Sequence, residues 1–194
     1  VCKKAGLFVQ VVDQNINQQV PWKLLSEFDL IALSLTTPAF QKAKGLISEL
    51  KAKKNPHTLL IAGGHHPTFC PDETLQAGFD IAIQGEAEVI IQNLLDKLIH
   101  RSDWADIDGI SYIDIIDTKQ RIKSNRTQEP IKNLDKIDFP ALDLFYYQSY
   151  NPISIITSRG CPHHCIYCAA AEFWGHNTRF RTIENVIQDR KSVV

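Results

Sequence analysis

The chain has no methionine among its 194 residues, and it carries little net charge, few cysteines and no long hydrophobic run. Its 21 basic and 22 acidic side chains give a formal net charge of −1, so we expect neither a nucleic acid nor an anionic membrane as a partner. The longest apolar runs, such as Leu59–Ala62, are too short to span a bilayer. Because no charged and then apolar leader opens the chain, we expect no export signal and a cytoplasmic location.

The missing methionine includes position 1, because the sequence opens on Val1-Cys2 and stops at Val193-Val194 without a clear end to its pattern. We therefore expect a fragment of a longer protein, cut at both ends. The hydrophobic content of 44% is sufficient for one or two globular domains with a proper core.

Three of the five cysteines lie within eight positions, at Cys161, Cys165 and Cys168, with the spacing C-x3-C-x2-C. Thiolates this close along the chain can converge on one soft metal centre once a tight loop brings them together. The β-branched, apolar stretch before them, residues 152–157, predicts a buried strand. The cysteines are then expected in a loop at the carboxyl end of a strand, where α/β folds usually place their chemistry.

The spacing alone leaves several sites open. An iron–sulfur cluster of the four-iron type normally takes four thiolates, so three local ones would leave one iron free for an outside ligand. A zinc site could instead be completed by His163 or His164, although both are expected to be exposed loop residues. A disulfide would need only two of the three thiols. Cys2 and Cys70 are expected to be unpaired and buried, a cysteine usage typical of a reducing cytoplasm.

Strand and helix patterns alternate over residues 7–100, which predicts a parallel sheet with right-handed crossovers. The ligands of such sheets bind at the carboxyl ends of the strands. The predicted strands are 7–12, 29–35, 58–62 and 79–83, and the predicted helices are 21–28, 37–54, 71–76 and 86–100.

Two further patterns follow along the chain. A β-hairpin is predicted from residues 109–116 and 121–125, which flank the turn candidate 117–120. A helix is predicted over Thr182–Arg190, with Thr182 as its cap.

The cysteine loop resembles that of the radical S-adenosylmethionine (SAM) enzymes, whose signature is C-x3-C-x-aromatic-C. Tyr167 fills the aromatic position, and in that family this residue packs near the SAM adenine. The resemblance implies that Cys161, Cys165 and Cys168 hold a 4Fe-4S cluster whose free iron is chelated by SAM. Reductive cleavage of SAM would then give a 5′-deoxyadenosyl radical.

The upstream loops carry a second resemblance. Gly63-Gly64-x-His-Pro-Thr after one strand, and Gly85-Glu86-x-Glu after the next, look like the cobalamin-binding domain found in front of many radical SAM enzymes. The resemblance implies that Ser34, Thr36, Gly63, Gly64, Gly85 and Glu86 contact cobalamin. Glycines let a backbone approach a ligand closely. His65 and His66 are not expected to bind cobalt; each is expected at the pocket mouth or on the surface.

Together the resemblances imply an α/β fold: a flavodoxin- or Rossmann-like cobalamin-binding domain without its first strand, a hairpin connector, and the first βα unit of a radical SAM barrel. The expected boundaries are 1–100, 101–150 and 151–194. The whole enzyme is expected to transfer a methyl group to carbon, or to cyclise or rearrange its substrate. The expected partners are a small-molecule or lipid-like substrate and an electron donor such as flavodoxin or ferredoxin.

Two alternatives stay open. The front domain could be vestigial in a radical SAM enzyme that binds no cobalamin, or the protein could be a non-catalytic cobalamin- or metal-binding module. These 194 residues alone are expected to lack complete catalysis, because later parts of the barrel that contact SAM are not among them.

Overall fold

The computed structural model describes residues 2–16, 18–144 and 154–192. The chain forms two compact units. One comprises Pro21–Glu129, and the other comprises Val1–Val20 together with Pro130–Val194.

The unit Pro21–Glu129 is built on a five-stranded sheet whose strands lie side by side in chain order. The first three strands are parallel, and the last two join antiparallel. The strands are β1 (Leu30–Ser34), β2 (Leu59–Gly63), β3 (Ile81–Ile83), β4 (Ile110–Ile116) and β5 (Lys119–Ser124). The helices of this unit are α1 (Thr37–Lys53), α2 (His65–Phe69), α3 (Pro71–Gln76) and α4 (Ala87–Ile99). Parallel neighbours need a crossover connection, which α1 supplies between β1 and β2 and which α2 and α3 supply between β2 and β3, so the predicted α/β fold is confirmed.

The core of this unit lies between the sheet and the inner face of α4. Ile90 and Leu94 of α4 are one helical turn apart, and both are fully buried against β2, β3 and β4. α1 likewise buries Phe40, Ile47 and Leu50, which follow the predicted helical spacing. Hydrophobic periodicity therefore fixed which faces of these helices are inside.

The hairpin predicted after α4 is formed by β4 and β5. Asp117 and Thr118 make a two-residue turn with φ values of 51° and 63°. Two successive positive φ angles are typical of the turn that matches the twist of paired strands, so the turn is tighter than the predicted four residues. β4 also pairs with β3, so the hairpin extends the sheet. The domain boundaries at residues 100 and 150 stay predictions.

Two predicted elements before β1 are wrong. Residues 7–12 form no strand, and Phe8 is 81% exposed. No strand among the described residues pairs with this stretch, and a strand without a partner has no ladder of backbone hydrogen bonds to hold it. The predicted helix at 21–28 is reduced to a single 3-10 turn at Leu25–Glu27.

The second unit contains β6 (Ser158–Arg159) antiparallel to β7 (Arg179–Phe180), with the helices α5 (Ala170–Trp174) and α6 (Ile183–Ser192). Thr182 caps α6 as predicted, since its hydroxyl accepts the backbone N–H of Asn185 at 3.3 Å.

The strand predicted at 152–157 is not formed where it can be observed. Residues 154–157 are not in a strand, and Ile156 is 52% exposed. Pairing starts only at Ser158, because the described partner strand β7 reaches no further. Pro152, Ile153 and the predicted domain start at residue 151 lie outside the described residues. Among the helices that are described, none is long and apolar enough to cross a membrane.

Candidate functional site

The first candidate site is the edge of the sheet where β1, β2 and β3 end. Three loops follow these strands: loop A (34–37), loop B (63–68) and loop C (84–86). Because the strands are parallel, their carboxyl ends lie at one edge, which is where ligands of α/β sheets bind.

Loops A and B are joined by backbone hydrogen bonds. The Leu35 N–H donates to the Gly63 carbonyl at 2.8 Å, and the His66 N–H donates to the Leu35 carbonyl at 3.0 Å. Gly64 has a φ of +101°, and a Cβ on it would lie 2.8 Å from the Leu35 carbonyl oxygen. Glycine is therefore needed at position 64 both for its backbone angles and because loop A passes so close.

Thr68 joins loop B to loop C. Its hydroxyl accepts the Gly85 N–H at 2.9 Å and donates to the Gly64 carbonyl at 2.8 Å. Gly85 has a φ of +81°, and no atom lies within 4 Å of where its Cβ would be. The three loops thus form one hydrogen-bonded rim that has free space beside Gly85.

The predicted cobalamin contacts differ in how accessible they are on this rim. Ser34 is exposed. Thr36 is also exposed, but its hydroxyl caps α1 by accepting the Ala39 N–H at 3.4 Å. Glu86 is only 6% exposed. The exposed hydroxyl, the backbone of the glycine loops and the space at Gly85 fit a bulky polar ligand, so the site is compatible with the nucleotide tail of cobalamin.

His66 contradicts the expectation of a residue at the pocket mouth or on the surface. It is 1% exposed, and its ring stacks on Phe40 with centroids 3.8 Å apart. Its Nδ1 lies 3.4 Å from the Thr37 hydroxyl, and its Nε2 is buried without a hydrogen-bond partner. Burial lowers the pKa of His66, so the imidazole is neutral at physiological pH. The only hint in the sequence was the spacing of His66, Cys70 and Glu73, which places the three residues on neighbouring helical turns.

The second candidate site is the cysteine loop between β6 and α5. All three cysteines are free; Cys165 and Cys168 are exposed, and Cys161 is half-buried. The Cys161 N–H donates to the Gly175 carbonyl at 3.0 Å, and the Cys168 N–H donates to the Cys165 carbonyl at 3.0 Å. The first hydrogen bond thus anchors the start of the loop, and the second closes a turn within it, while Cys165 and Cys168 are exposed.

Gly160 makes the entry into this loop possible. Its φ is +101°, and a Cβ on it would lie 2.2 Å from the Asn177 carbonyl oxygen. The returning segment before β7 therefore passes against the glycine just ahead of the first cysteine, and a side chain there would push the two apart.

The positions of the three thiols can be compared with the three alternatives, which are a disulfide, a zinc site and an iron–sulfur cluster. All five cysteines are free, so no disulfide is formed. Among the described residues, just one group of three or more His, Cys, Asp or Glu side chains has its ligand atoms within 4.8 Å of one another, and that group does not include this loop. The loop is therefore not arranged around a single zinc ion. Thiolates that ligate different irons of one cluster need no such close approach, so a 4Fe-4S cluster fits the donor set.

Aromatic residues around the loop occupy distinct positions. Tyr167 is 88% exposed, so its ring is free to cover a ligand at the cysteines. His164 stacks on His176 with ring centroids 4.4 Å apart. The Arg159 guanidinium lies 4.8 Å from the centre of the Trp174 ring.

Sequence reasoning missed the structural role of the two arginines after the loop. The Arg179 guanidinium donates to the carbonyls of Ile131 and Trp174, each at 2.6 Å. Arg181 pairs with the buried Asp189 of α6 at 2.5 Å. These contacts fix β7 and α6 beside the cysteine loop.

Comparison with known proteins finds a matching domain family and several related proteins. Residues 1–95 match the B12 binding domain family. An uncharacterised methyltransferase of Pyrococcus horikoshii is 27% identical over 176 residues, covering 86% of this chain and 37% of that protein. The hopanoid C-3 methylase of Methylococcus capsulatus is 27% identical over 208 residues, covering 98% of this chain and 38% of that protein. This chain thus spans less than two fifths of either relative.

A solved structure has the same fold. The radical S-adenosylmethionine methyltransferase TsrM from Kitasatospora setae, with cobalamin and a 4Fe-4S cluster bound, superposes with a TM-score of 0.73. The match covers 98% of this chain and 41% of that one, at 16% sequence identity. At this level of sequence identity, the similarity shows that the two proteins share a fold.

Proposed function

We propose that this chain is part of a cobalamin-dependent radical SAM methyltransferase, since its first 95 residues match the B12 binding domain and its cysteine loop has the radical SAM spacing. The observation that carries the proposal is the loop of three free cysteines, anchored by its backbone and entered through Gly160, in a chain whose first 95 residues match the B12 binding domain. When bound, the cluster supplies the electron that cleaves SAM, and cobalamin supplies a carrier for the methyl group.

In this proposal the residues bind and orient the cofactors. Cys161, Cys165 and Cys168 are the thiolate ligands of the cluster, and Tyr167 covers the adenine of SAM. Exposure of Cys165, Cys168 and Tyr167 leaves these groups accessible to ligands, which supports the assignment.

The loops at the end of the parallel strands hold cobalamin. Ser34 and Thr36 contact its nucleotide tail, Gly63 and Gly64 form the rim, and Gly85 and Glu86 complete the third loop. The hydrogen bonds that join loops A, B and C support this role, because they make the rim a single preorganised surface.

Methyl transfer to an unactivated carbon is proposed ahead of cyclisation or rearrangement, because the curated relatives named above are a methyltransferase and a methylase. The substrate is proposed to be a small or lipid-like molecule, and the electron donor a flavodoxin or ferredoxin. Five free cysteines support a reducing, cytoplasmic location. We propose that these 194 residues are part of the enzyme and do not complete the reaction alone, in line with the share of the relatives that they span.

The test is anaerobic reconstitution of the full-length protein with iron and sulfide, followed by metal analysis and by electron paramagnetic resonance with and without SAM. We expect about four irons per chain and a spectrum that changes when SAM is added. Cys165→Ala should lose the cluster, while the matched control Cys2→Ala, outside the loop, should keep it. Zinc without iron, or a cluster that does not respond to SAM, would contradict the proposal.

Cobalamin binding needs its own measurement. Full-length protein should retain hydroxocobalamin through gel filtration, with the cobalamin absorbance co-eluting with the chain. A SAM-responsive cluster without such retention would favour the radical SAM enzyme with a vestigial front domain. Retention without cleavage of SAM would favour a non-catalytic cobalamin-binding module.

A further inference from the structure

A second group of metal-binding side chains lies in the α/β unit, apart from the three cysteines of the loop. His66 of α2, Cys70 between α2 and α3, and Glu73 of α3 bring one ligand atom each to within 4.8 Å of one another. The three donors of one tetrahedral zinc ion, bound at about 2.0–2.3 Å, lie roughly 3.3–3.8 Å apart. The separation between His66 Nε2 and the nearer Glu73 oxygen is 3.7 Å, already within that range.

His66 is the residue that makes this group more than an accident of helical spacing. Its side chain is 1% exposed, yet its Nε2 has no hydrogen-bond partner. A buried polar atom without a partner is costly, by about 1–3 kcal/mol, so an unsatisfied one calls for an explanation. A cation between Nε2, Cys70 and Glu73 would satisfy it.

The surroundings hold the imidazole in the orientation that metal sites use. Phe40 stacks on the ring at 3.8 Å, and the Thr37 hydroxyl lies 3.4 Å from Nδ1. When the Nδ1–H donates to this hydroxyl, Nε2 carries no proton and is free to bind a metal.

The backbone holds the other two donors near this nitrogen. The Cys70 N–H donates to the His66 carbonyl at 2.8 Å, and the Thr74 N–H donates to the Cys70 carbonyl at 3.1 Å. Cys70 is half-buried, and the Glu73 side chain is 46% exposed, so an ion can enter from the Glu73 side. Lys44 competes for Glu73 at 3.4 Å, but it is itself half-exposed and can turn to solvent.

We propose that His66 Nε2, Cys70 Sγ and the Glu73 carboxylate bind a divalent cation of the zinc type, with a fourth position open to water. Nitrogen, sulfur and carboxylate oxygen together suit zinc, whereas magnesium and calcium prefer oxygen alone. The ion would fasten α2, and with it loop B, to α3. The proposal does not depend on the cluster or on cobalamin.

The probe is cobalt(II), which reports thiolate ligation through a charge-transfer band in the near-ultraviolet. The full chain is used with the replacements Cys161→Ser, Cys165→Ser and Cys168→Ser, so that the exposed loop cannot contribute thiolates. We expect the band to saturate at one cobalt per chain and zinc to displace it. Cys70→Ser should abolish the band, and Cys2→Ser, the matched control, should keep it. No band, or a band that survives Cys70→Ser, overturns the proposal.

Two further variants separate a ligand site from a merely structural effect. Thr37→Val keeps the shape of the side chain and removes the hydroxyl at Nδ1, so cobalt affinity should fall about 10–100-fold without loss of the band. Glu73→Gln, at a partly exposed position that tolerates replacement, should also weaken binding. Unchanged affinity in Glu73→Gln would overturn the proposal even if Cys70→Ser proved misfolded by circular dichroism.

Discussion

Replacement of Gly64 by alanine tests whether the contact between loops A and B holds the rim together. Gly64 has φ +101° and ψ −166°, a region of backbone space that is essentially restricted to glycine. The added Cβ would lie 2.8 Å from the Leu35 carbonyl oxygen and 3.1 Å from its nitrogen. Both neighbours are backbone atoms, so the loop must move rather than a flexible side chain.

The expected magnitude has two parts. Holding alanine in this conformation costs about 1–3 kcal/mol. Moving the Leu35 carbonyl also weakens the hydrogen bond that it accepts from the His66 N–H at 3.0 Å, a contact worth about 0.5–1.5 kcal/mol. We therefore expect Gly64→Ala to lower the free energy of unfolding by roughly 2–4 kcal/mol.

The measurement is urea unfolding of the chain followed by circular dichroism, with two matched glycines as controls. Gly85→Ala meets no atom within 4 Å and should lose only the strain of its φ of +81°, about 1–2 kcal/mol. Gly45→Ala, in the exposed interior of α1 with no neighbour within 4 Å, should stabilise the chain by about 0.5–1 kcal/mol. If Gly64→Ala costs no more than Gly85→Ala, the contact with Leu35 does not matter and the reasoning is refuted.

Three other changes follow from single contacts. Thr68→Val keeps the shape of the side chain but leaves the Gly85 N–H without its acceptor. The free energy of unfolding should therefore fall by about 1–3 kcal/mol, and the Gly85 amide hydrogen should exchange faster with solvent. An unchanged exchange rate would contradict this. Phe40→Ala removes a fully buried ring and should cost about 3–5 kcal/mol by urea unfolding, and a loss below about 1 kcal/mol would mean that the site collapses freely. The Lys123 ammonium lowers the pKa of Asp114 below 3.8, so the pair stabilises the fold above that pH and the contribution fades as pH falls toward the folded-state pKa. Lys123→Gln should raise the Asp114 midpoint in an NMR titration, and an unmoved midpoint would show that the pair does not form in solution.

The sequence by itself determined most of the architecture of the α/β unit. Alternating strand and helix patterns predicted β1, β2 and β3 and the helices α1 and α3 between them, because local propensity and burial agree at these positions. The short helix α2 was not predicted, because its residues were expected to form a loop. The hairpin and the cap at Thr182 were also predicted from local signals, and both are formed. The cysteine spacing identified the second site for the same reason: its donors lie close along the chain.

Tertiary structure alone decided what depends on partners distant in sequence. Residues 7–12 have a strand pattern but no described neighbour to pair with, and a strand is stable only with one. Gly64 was expected in a loop after a strand, yet the sequence could not predict which backbone segment passes against Gly64 or against Gly160.

His66 shows the same limit most clearly. A histidine in a polar run is expected at the surface, but here Phe40, from a helix 26 positions earlier in the chain, covers the ring and leaves one nitrogen buried beside Cys70 and Glu73. Burial and pairing are properties of the whole packed unit, so they follow from the fold and not from the local sequence.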